Sequence, residues 1–252
     1  MILSAPRITA MNRDGSPRES LLAALELPAG TSVVELHTDG TPDLDRFLRL
    51  HELERRLVAR AVPSRKSDFG DARWCAHEAL RRWGRDEPIL RGEKGMPLFP
   101  EGIVGTLSHT DGLRGALVGD AGVWRSVGLD VEKAQPLTGG VFNAVTSPLE
   151  RWSLSRLTGS ERSESLLGTV LFSAKECVYK SWFPLAGRFL DFDEAELHLE
   201  IDHGFGRGAV GSGDVGGTWR ARLLTSPTPV EEITGSWVIR DSYVATVCGI
   251  RR

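Results

Sequence analysis

Cysteine is scarce in this chain, and its spacing excludes a disulfide framework. The three cysteines, Cys75, Cys177 and Cys248, are odd in number, lie far apart and form no C-x-x-C pair. Disulfide-rich secreted domains and zinc knuckles both require several closely spaced cysteines. The sequence therefore indicates reduced thiols, and we expect a cytoplasmic protein.

Long apolar runs and an excess of positive charge are also missing. No stretch approaches 18 uninterrupted apolar residues, and the start, MILSAPRITAMNRDG, lacks a basic stretch followed by a long apolar run. We therefore expect neither a transmembrane helix nor a signal peptide. The formal net charge of -3 gives no general basic field, so the sequence predicts no binding to nucleic acid or to membranes. Any anion site must be local.

What the chain does contain is typical of a globular protein. Its 252 residues are 40% hydrophobic and 26% charged, which suits one large folded unit or two small ones. Residues 1–17 are polar and irregular, and we expect a flexible tail there. No repeat of short period is visible, which excludes a solenoid. Helical and strand patterns are mixed along the rest of the chain, so the fold class is predicted to be α+β.

Periodicity and end signals predict the individual elements. Helices are expected over 19–27, 44–61, 67–83 and 173–182, with Pro63 ending the second, Ser67 capping the third and a mobile polar loop, SLSRLTGSERSES, before the fourth. Strands are expected over 32–37, 104–108, 115–118, 127–131, 196–201, 219–224, 236–239 and 243–248. Arg240-Asp241-Ser242 would turn the last two strands into a hairpin.

Two carboxylates share one face of the strand that reads VGLDVE. Side chains alternate along a strand, so Asp130 and Glu132 point the same way, about 6.6 Å apart between Cα atoms at a rise of about 3.3 Å per residue. Like charges at this spacing favour a shared cation. Magnesium usually takes one or two carboxylates together with waters and substrate phosphates. A strand end that is exposed to solvent can carry the same pattern, so the D-x-E motif alone does not distinguish it from a metal site.

The helix that follows Ser173 carries a third carboxylate. Its apolar stripe can pack inward, which leaves Glu176 and Lys180 on roughly the opposite side. Four residues apart, the two side chains could form only a surface ion pair. Beside a D-x-E, however, Glu176 would complete a metal site, while Lys175 and Lys180 would supply cations for a phosphate.

Basic residues upstream are candidates for binding a phosphate. They are Arg65, Arg73, Arg91 and Lys94, with His109 at the end of the strand that reads GTLSH. Arg73 lies four residues after Phe69, toward the buried side, where an unpaired guanidinium is costly and a phosphate partner suits it. A lone histidine is more often structural, but next to a phosphate its ring could donate a hydrogen bond.

Two motif matches are rejected. Residues 211–216 read GSGDVG and match G-x-G-x-x-G, yet a strand follows them where the dinucleotide fingerprint requires a helix. Ser108-His109 has no surrounding G-x-S-x-G, so it is not a nucleophile elbow.

Four segments in order resemble a known family. RKSDFGDARWCAHEAL, ILRGEKGMPLFPEGIVGTLSHTDG, SVGLDVE and FSAKECVYKSWFP resemble the single-chain 4′-phosphopantetheinyl transferases of the enterobactin-synthase and actinobacterial type, over residues 60–190. The resemblance implies two similar subdomains related by a pseudo-twofold axis, with coenzyme A and magnesium in the cleft between them. We place the N-terminal subdomain at 18–124 and the C-terminal subdomain at 125–252.

The resemblance also implies roles for individual residues. Mg²⁺, or Mn²⁺ in its place, would be bound by Asp130, Glu132 and Glu176, with Glu176, Lys180 and Lys175 acting in catalysis. Phosphates of coenzyme A would be held by Arg65, Arg73, Arg91, Lys94, Ser108, His109, Lys175 and Lys180. Two positions depart from many relatives, Phe172 in place of Trp and Thr110 in place of Cys, and both affect substrate fit more than catalysis.

The implied reaction moves phosphopantetheine from coenzyme A to a serine of an apo carrier protein. The partners would be carrier domains and coenzyme A, and the protein would be a monomer. The segment Trp182-Phe183-Pro184-Leu185, after the catalytic helix, is the candidate for contacts with the carrier, through Phe183 or Leu185, and ordinary core packing is the alternative for it. The alternatives are another magnesium-dependent transferase or hydrolase of nucleotide pyrophosphates, and a degenerate module that only binds coenzyme A or a carrier.

Overall fold

The computed structural model describes residues 4–158, 160–202 and 214–252, without the side chain of Arg162. Its strands are β1 (Arg7–Asn12), β2 (Ser32–His37), β3 (Leu90–Arg91), β4 (Pro97–Leu98), β5 (Ile103–Thr110), β6 (Leu113–Asp120), β7 (Trp124–Lys133), β8 (Ala195–Leu199), β9 (Val215–Leu223), β10 (Glu232–Arg240) and β11 (Tyr243–Arg251). Its helices are α1 (Asp45–Arg49), α2 (Glu52–Leu57), α3 (Pro63–Arg81), α4 (Gly139–Val145), α5 (Pro148–Leu157) and α6 (Glu161–Ala186), and 3₁₀ turns occupy Leu22–Ala24, Glu93–Gly95 and Phe192–Glu194. The predicted α+β class is confirmed.

Two sheets form the centre of the molecule. The first has the order β1-β2-β6-β5, with β1 and β2 parallel and the other pairs antiparallel. The second is antiparallel throughout, in the order β7-β11-β10-β9-β8. The short strands β3 and β4 form a separate ribbon. The sheets differ in strand number, and the pseudo-twofold relation stays a prediction.

Alternating side chains give each sheet two buried faces. Val34 and Leu36 of β2 pack with α3, whereas Val33 of the same strand packs with residues of the second sheet. In the second sheet, Val244 of β11 packs with α6 and Val247 packs toward the first sheet. The order of layers is therefore helix α3, first sheet, second sheet, helix α6. This order follows from the two-residue period of the strands.

The chain before β2 is the first correction. Residues 7–12, predicted to be irregular, form β1 and pair in parallel with β2, from Arg7 opposite Ser32 to Asn12 opposite His37. The predicted helix over 19–27 is only the 3₁₀ turn at Leu22–Ala24. Short segments of mixed polarity take their structure from neighbouring elements, and their own sequence shows little sign of it.

The helices around Pro63 differ from the prediction as well. The expected helix over 44–61 is two short helices, because the backbone at Leu50 and His51 is extended. Pro63 opens α3 at its first position, where its missing N–H costs no hydrogen bond. Ser67 is therefore inside α3, and its hydroxyl accepts from the backbone N–H of Asp43 at 2.9 Å.

The polar stretch SLSRLTGSERSES is largely helical, which corrects the predicted loop. A capping box between Ser147 and Glu150, with Pro148 at the first position, starts α5. Ser160 caps α6, which begins 12 residues before the predicted start and ends at Gly187 in the left-handed region. The S-x-x-E pattern at 147–150 was a readable signal for a helix start.

The strand predictions after residue 100 are confirmed with small shifts at their ends. Asp241 and Ser242, both with positive φ, make the two-residue turn between β10 and β11, as predicted. Residues 211–213 of the rejected glycine motif lie outside the described residues, and β9 begins at Val215.

Candidate active site

Asp130 is the most completely bonded group of the site. Its carboxylate accepts hydrogen bonds from Ser108 Oγ at 2.9 Å, Ser173 Oγ at 2.7 Å and Lys180 Nζ at 2.6 Å. Ser173 Oγ also lies 3.0 Å from Thr246 Oγ1 on β11. These side chains come from β5, β7, β11 and α6, so the two sheets and the long helix meet at this one buried carboxylate.

Gly128 lets α6 come close enough to β7 to reach Asp130. A Cβ at this glycine would lie 2.4 Å from the carbonyl oxygen of Cys177 and 2.8 Å from the Sγ of Cys248. Any larger residue would therefore push α6 away from the strand. Because Gly128 shares a face with Asp130, the same face of β7 supplies both the close packing and the carboxylate. This confirms the predicted alternation along β7.

Three residues of α6 face the carboxylate strand. Ser173, Glu176 and Lys180 follow the spacing i, i+3, i+7, which places them on one side of a helix. Glu176 and Lys180 were predicted for the site. Ser173 was missed, although the same spacing marks it. Thr246 was also missed, and its pairing opposite Asp130 depends on a long-range register that local sequence does not show.

The predicted metal carboxylates are electrostatically coupled. Burial and then the negative charges of Asp130 and Glu176 raise the pKa of Glu132 to about 7, against the opposing effect of Lys180. Burial and Asp130 also raise the pKa of Glu176. Within the described residues the three carboxylates do not bring their oxygens all within 4.8 Å of one another. One buried and two half-buried carboxylates that repel one another are a donor set that suits a hard divalent cation.

A cleft of about 450 Å³ opens beside this group. Its walls come from α3, β5, the segment around β4, the start of β7 and the end of α6. The predicted phosphate-binding residues that line it are Arg65, Arg73, Arg91, Lys94, His109 and Lys180. The structure thus brings together cations that are spread over more than 100 positions of the sequence.

Arg73 is the buried cation of the cleft. It is 5% exposed, and its guanidinium lies 5.0 Å from the ring of Phe69 and 3.7 Å, measured from Nε, from Glu54. Its Nε and Nη1 have no hydrogen-bond partner among the described residues. Burial, together with nearby Arg91, lowers the pKa of Arg73 to about 10 in spite of Glu54. A buried guanidinium with free donors favours an anionic ligand.

Arg65 and His109 form the outer rim of the cleft. Arg65 Nη1 donates to His109 Nε2 at 3.3 Å. Partial burial of the ring and the charge of Arg65 both lower the pKa of His109. The imidazole is therefore neutral near pH 7, and its Nδ1 is the nitrogen left to donate to a ligand.

Lys175 is a correction. It is 4% exposed, and its ammonium donates to the carbonyl of Val145 at 2.9 Å, to Glu150 at 3.0 Å and to the carbonyl of Phe192 at 2.7 Å. An ammonium has three donors, so none is left for a phosphate. Burial lowers the pKa of Lys175, opposed by Glu150. Lys175 ties α6 to α4, α5 and the turn at 192–194, and it does not face the cleft.

Ser108 is a second correction. Its hydroxyl donates to Asp130 and accepts from the N–H of Val131 at 3.1 Å and from Lys180 Nζ at 3.0 Å. A hydroxyl has one donor and two acceptor sites, so its capacity is full. The Ser108 side chain therefore positions Asp130 and Lys180 and does not bind phosphate directly.

The segment after Lys180 is also placed differently from the prediction. Pro184 lies within α6, and Phe183 is 5% exposed and lines the cleft. Phe183 therefore contributes an apolar wall, together with Tyr179, in place of an exposed surface for a partner. Leu185 is half-buried against the core of the second sheet and α6.

Two family models match most of the chain. A family model described as the 4′-phosphopantetheinyl transferase N-terminal domain matches residues 53–119, and one described as the 4′-phosphopantetheinyl transferase superfamily matches residues 126–248. The second match contains Asp130, Glu132, Glu176 and Lys180. The first contains Arg65, Arg73, Arg91, Lys94 and His109. Both walls of the cleft thus fall in segments that the family models cover.

Three curated relatives match most of the chain. The 4′-phosphopantetheinyl transferase Npt of Nocardia iowensis is 37% identical over 227 residues, which is 87% of this chain and 96% of that protein. Svp of Streptomyces mobaraensis, with the same description, is 39% identical over 91% of this chain and 89% of its own length. PptT of Mycobacterium tuberculosis, with the same description, is 37% identical over 77% of this chain and 82% of its own length.

The fold, the cleft and these matches define the chain as a transferase enzyme. It belongs to the 4′-phosphopantetheinyl transferase superfamily. No helix in the described part of the chain combines the length and the apolar character needed to cross a membrane.

Proposed function

We propose that this protein transfers 4′-phosphopantetheine from coenzyme A to a serine hydroxyl of an apo carrier protein, in a magnesium-dependent reaction. The observation that carries the proposal is the buried Arg73, whose Nε and Nη1 have no partner in the described part of the chain and which lines a cleft that also contains Lys180 of the carboxylate group. Coenzyme A has the anionic phosphates that such a cleft requires.

Asp130, Glu132 and Glu176 would hold the divalent cation, Mg²⁺ or Mn²⁺ in its place. Burial, and then repulsion among the carboxylates, raises the pKa values of Glu132 and Glu176, so a cation is the charge that this group lacks. When bound, the ion would neutralise charge that develops on the pyrophosphate of the donor.

The remaining steps belong to side chains of this chain. The serine oxygen forms a bond to the β-phosphorus of coenzyme A, the bond from that phosphorus to the bridging oxygen breaks, and 3′,5′-adenosine diphosphate leaves. Glu176 takes the serine proton, directly or through one water, and relay through the water is the easier route because a ligand of the cation has a lowered pKa. Lys180 contacts Asp130 and lines the cleft, so its ammonium offsets negative charge on the leaving nucleotide.

Arg65, Arg73, Arg91, Lys94 and His109 would bind the nucleotide half of the donor. Phe183 and Tyr179 form an apolar wall that suits the pantetheine arm. We further propose that the protein is a cytoplasmic monomer and that the carrier domain approaches the cleft from the side of the carboxylates. The pathway that the carrier serves is outside this proposal.

The direct test is a modification assay. The protein is incubated with Mg²⁺, coenzyme A and several apo carriers, and the carriers are weighed by mass spectrometry. We expect one added phosphopantetheine on at least one carrier, dependent on Mg²⁺ and lost in the carrier whose acceptor serine is replaced by alanine. Hydrolysis of coenzyme A without modification of any carrier would replace the proposal with a pyrophosphatase. Binding of coenzyme A without turnover would replace it with a binding module.

A further inference from the structure

A second polar cluster lies outside the carboxylate group, between α2 and α3. His51 directly precedes α2, Glu54 belongs to α2 and His77 belongs to α3. One ligand atom from each of the three residues lies within 4.8 Å of the other two. Among the described residues, this is the one set of three histidine, cysteine or carboxylate ligands that meets this spacing.

The cluster is buried on one side and open on the other. Glu54 is fully buried and His77 is 4% exposed, whereas His51 is half-buried. His77 Nε2 lies 2.8 Å from Oε2 of Glu54, and the rings of His51 and His77 have their centroids 5.3 Å apart. Oε1 of Glu54 accepts from the N–H of Ile89 at 3.3 Å, and Oε2 is the oxygen that faces His77. The half-buried His51 gives an ion a path to the cluster.

The surroundings of the second ring nitrogen of His77 give another, independent indication of a bound metal ion. Its Nδ1 is buried without a hydrogen-bond partner among the described residues, and Oδ1 of Asp86 lies 3.8 Å away. If a neutral His77 donates from Nε2 to Glu54, the lone pair of Nδ1 faces a second carboxylate, and two acceptors repel. A metal ion on Nε2 holds the proton on Nδ1, where it faces Asp86. That arrangement is the carboxylate–histidine–metal relay common around protein-bound zinc.

We propose that His51, Glu54 and His77 form a second metal site, which takes a borderline divalent transition-metal ion such as Zn²⁺. Two imidazoles and one carboxylate are a ligand set that zinc accepts with a fourth position open to water. Magnesium and calcium prefer oxygen ligands, so the cluster is selective against the cation of the carboxylate group. Ligand atoms around a tetrahedral zinc lie about 3.3 Å apart. Binding would require the His77–Glu54 pair, now 2.8 Å apart, to open by about 0.5 Å, with the ring of His51 completing the set from within 4.8 Å.

The site is joined to the cleft through one residue. Glu54 is the carboxylate nearest to Arg73, at 3.7 Å from Nε, and Arg73 lines the cleft. The metal site itself rests on the cluster alone and does not depend on what the cleft binds. Its test therefore uses metal binding as the readout.

The experiment measures binding of Zn²⁺ to the full, chelator-treated protein by competition with a chromogenic chelator. Co²⁺ is added separately to record the visible spectrum of a tetrahedral ion. We expect about one equivalent of Zn²⁺ per chain and a tetrahedral Co²⁺ spectrum. His51→Ala should weaken Zn²⁺ binding at least tenfold and His77→Gln more, while Asp86→Asn should weaken it about tenfold, as expected for a residue that orients a ligand.

Two control variants separate this site from binding at a surface histidine and from binding at the carboxylate group. His198→Ala removes an exposed histidine of β8 and should leave Zn²⁺ binding unchanged. The double variant Glu132→Gln/Glu176→Gln disables the carboxylate group and should also keep the equivalent of Zn²⁺. Circular dichroism verifies that each variant folds. If His77→Gln does not fold, the test rests on His51→Ala, because His51 is half-buried and its replacement disturbs the core less.

Three results would overturn the proposal. The wild-type protein could bind no Zn²⁺, which would leave the cluster as a hydrogen-bonded pair of His77 and Glu54. His51→Ala could bind Zn²⁺ as tightly as the wild type does. Zn²⁺ binding could also be lost only in the double variant Glu132→Gln/Glu176→Gln, which would place the ion at the carboxylate group around Asp130.

Discussion

Nζ of Lys180 lies 2.6 Å from Oδ1 of Asp130, and this pair joins the helix of the site to its strand. Asp130 is almost completely buried, whereas Lys180 is partly exposed and reaches the cleft. Its ammonium also donates to Ser108 Oγ at 3.0 Å and to the carbonyl of Leu129 at 3.3 Å, so its three donors are used within the site. Lys180 thus compensates the buried charge of Asp130 and contributes positive charge, not a free donor, to the wall of the cleft. A neutral residue in place of Lys180 would therefore lose both the ion pair with Asp130 and the positive charge at the cleft.

Glu176→Gln should remove most turnover while the fold stays intact. The amide keeps the shape of the half-buried side chain but loses a metal charge and the proposed base. We expect a loss of about a hundredfold or more in kcat, since general bases contribute about 10² to 10⁴. The assay is the rate of phosphopantetheine transfer, with the melting temperature as the check on folding. Activity within a fewfold of the wild type would exclude Glu176 from the mechanism.

Glu132 should make the stability of the metal-free protein depend on pH. Burial and the charges of Asp130 and Glu176 raise its folded pKa from 4.5 to about 7. A raised carboxyl pKa means that the folded state binds the proton more tightly than the unfolded state. The stabilisation is therefore complete below about pH 4.5 and is lost as the pH rises through about 7.

Urea unfolding with a chelator present, from pH 4.5 to 8, measures this effect. The midpoint difference between the wild type and Glu132→Gln should shrink or change sign as the pH rises, because only the wild type gains a charge. Glu101→Gln, at an exposed turn, should follow the wild type. Excess Mg²⁺ should restore stability at pH 8 in the wild type alone. Parallel curves for the wild type and Glu132→Gln would mean that Glu132 titrates normally.

Arg73→Ala should weaken coenzyme A binding much more than binding of an analogue without the 3′-phosphate. A charge-assisted hydrogen bond contributes about 1.5 to 3 kcal/mol, or about tenfold to a hundredfold in Kd. Arg65→Ala tests the exposed rim in the same way. Arg60→Ala, an exposed arginine outside the cleft, is the matched control. Equal losses for both ligands, measured by calorimetry, would place Arg73 at another part of the nucleotide.

Lys175→Met should destabilise the protein without removing its chemistry. The change leaves the buried carboxylate of Glu150 without its ammonium partner, and breaking a buried pair in this way costs about 3 to 5 kcal/mol. The turnover of the folded fraction should stay within a fewfold of the wild type. Lys180→Met should show the reverse, with turnover lost and a smaller fall in stability. Urea midpoints and kcat, measured on both variants, distinguish the structural role of Lys175 from the catalytic role of Lys180. Lost turnover at full stability in Lys175→Met would return this residue to catalysis.

Gly128→Ala should impair stability and turnover together. The added methyl would meet the carbonyl of Cys177 at 2.4 Å and must displace α6 from β7. Overpacking of this kind costs about 1 to 3 kcal/mol, or about 2 to 4 °C of melting temperature per kcal/mol in a chain of this size. Gly139→Ala, with open space around its Cβ, is the control and should be neutral. A stable and fully active Gly128→Ala would show that α6 does not need this close approach.

Much of the site could be predicted because its signals are local. Alternation along β7 put Gly128 and Asp130 on one face, and the helical spacing put Glu176 and Lys180 on one side of α6. Both arrangements follow from backbone geometry alone. The spacing of Arg73 from Phe69 likewise indicated a guanidinium on the buried side of α3, where the structure places it.

The wrong predictions concern side chains whose partners lie far away in the sequence, where local patterns give no sign of the contact. Lys175 precedes Glu176 by one residue, yet neighbours on a helix point about 100° apart. Its ammonium meets Glu150, which lies 25 positions away on another helix. Ser108 was assigned to phosphate by the resemblance alone, whereas its hydroxyl is occupied by Asp130, Val131 and Lys180. The capping signal at Ser147 is local, and it would have predicted the start of α5.

The position of β11 also determines when the site becomes complete during synthesis. β11 is the last strand in chain order, yet in the second sheet it lies between β7 and β10. Chains emerge from the ribosome N-terminus first. Until residue 251 has emerged, β7 therefore lacks the strand described as its partner in that sheet, and Asp130 lacks Thr246 beside Ser173. The basic wall of the cleft, on α3 and β5, has by then long been made. A nascent chain thus acquires the basic residues of α3 and β5 before β11 can complete the surroundings of Asp130.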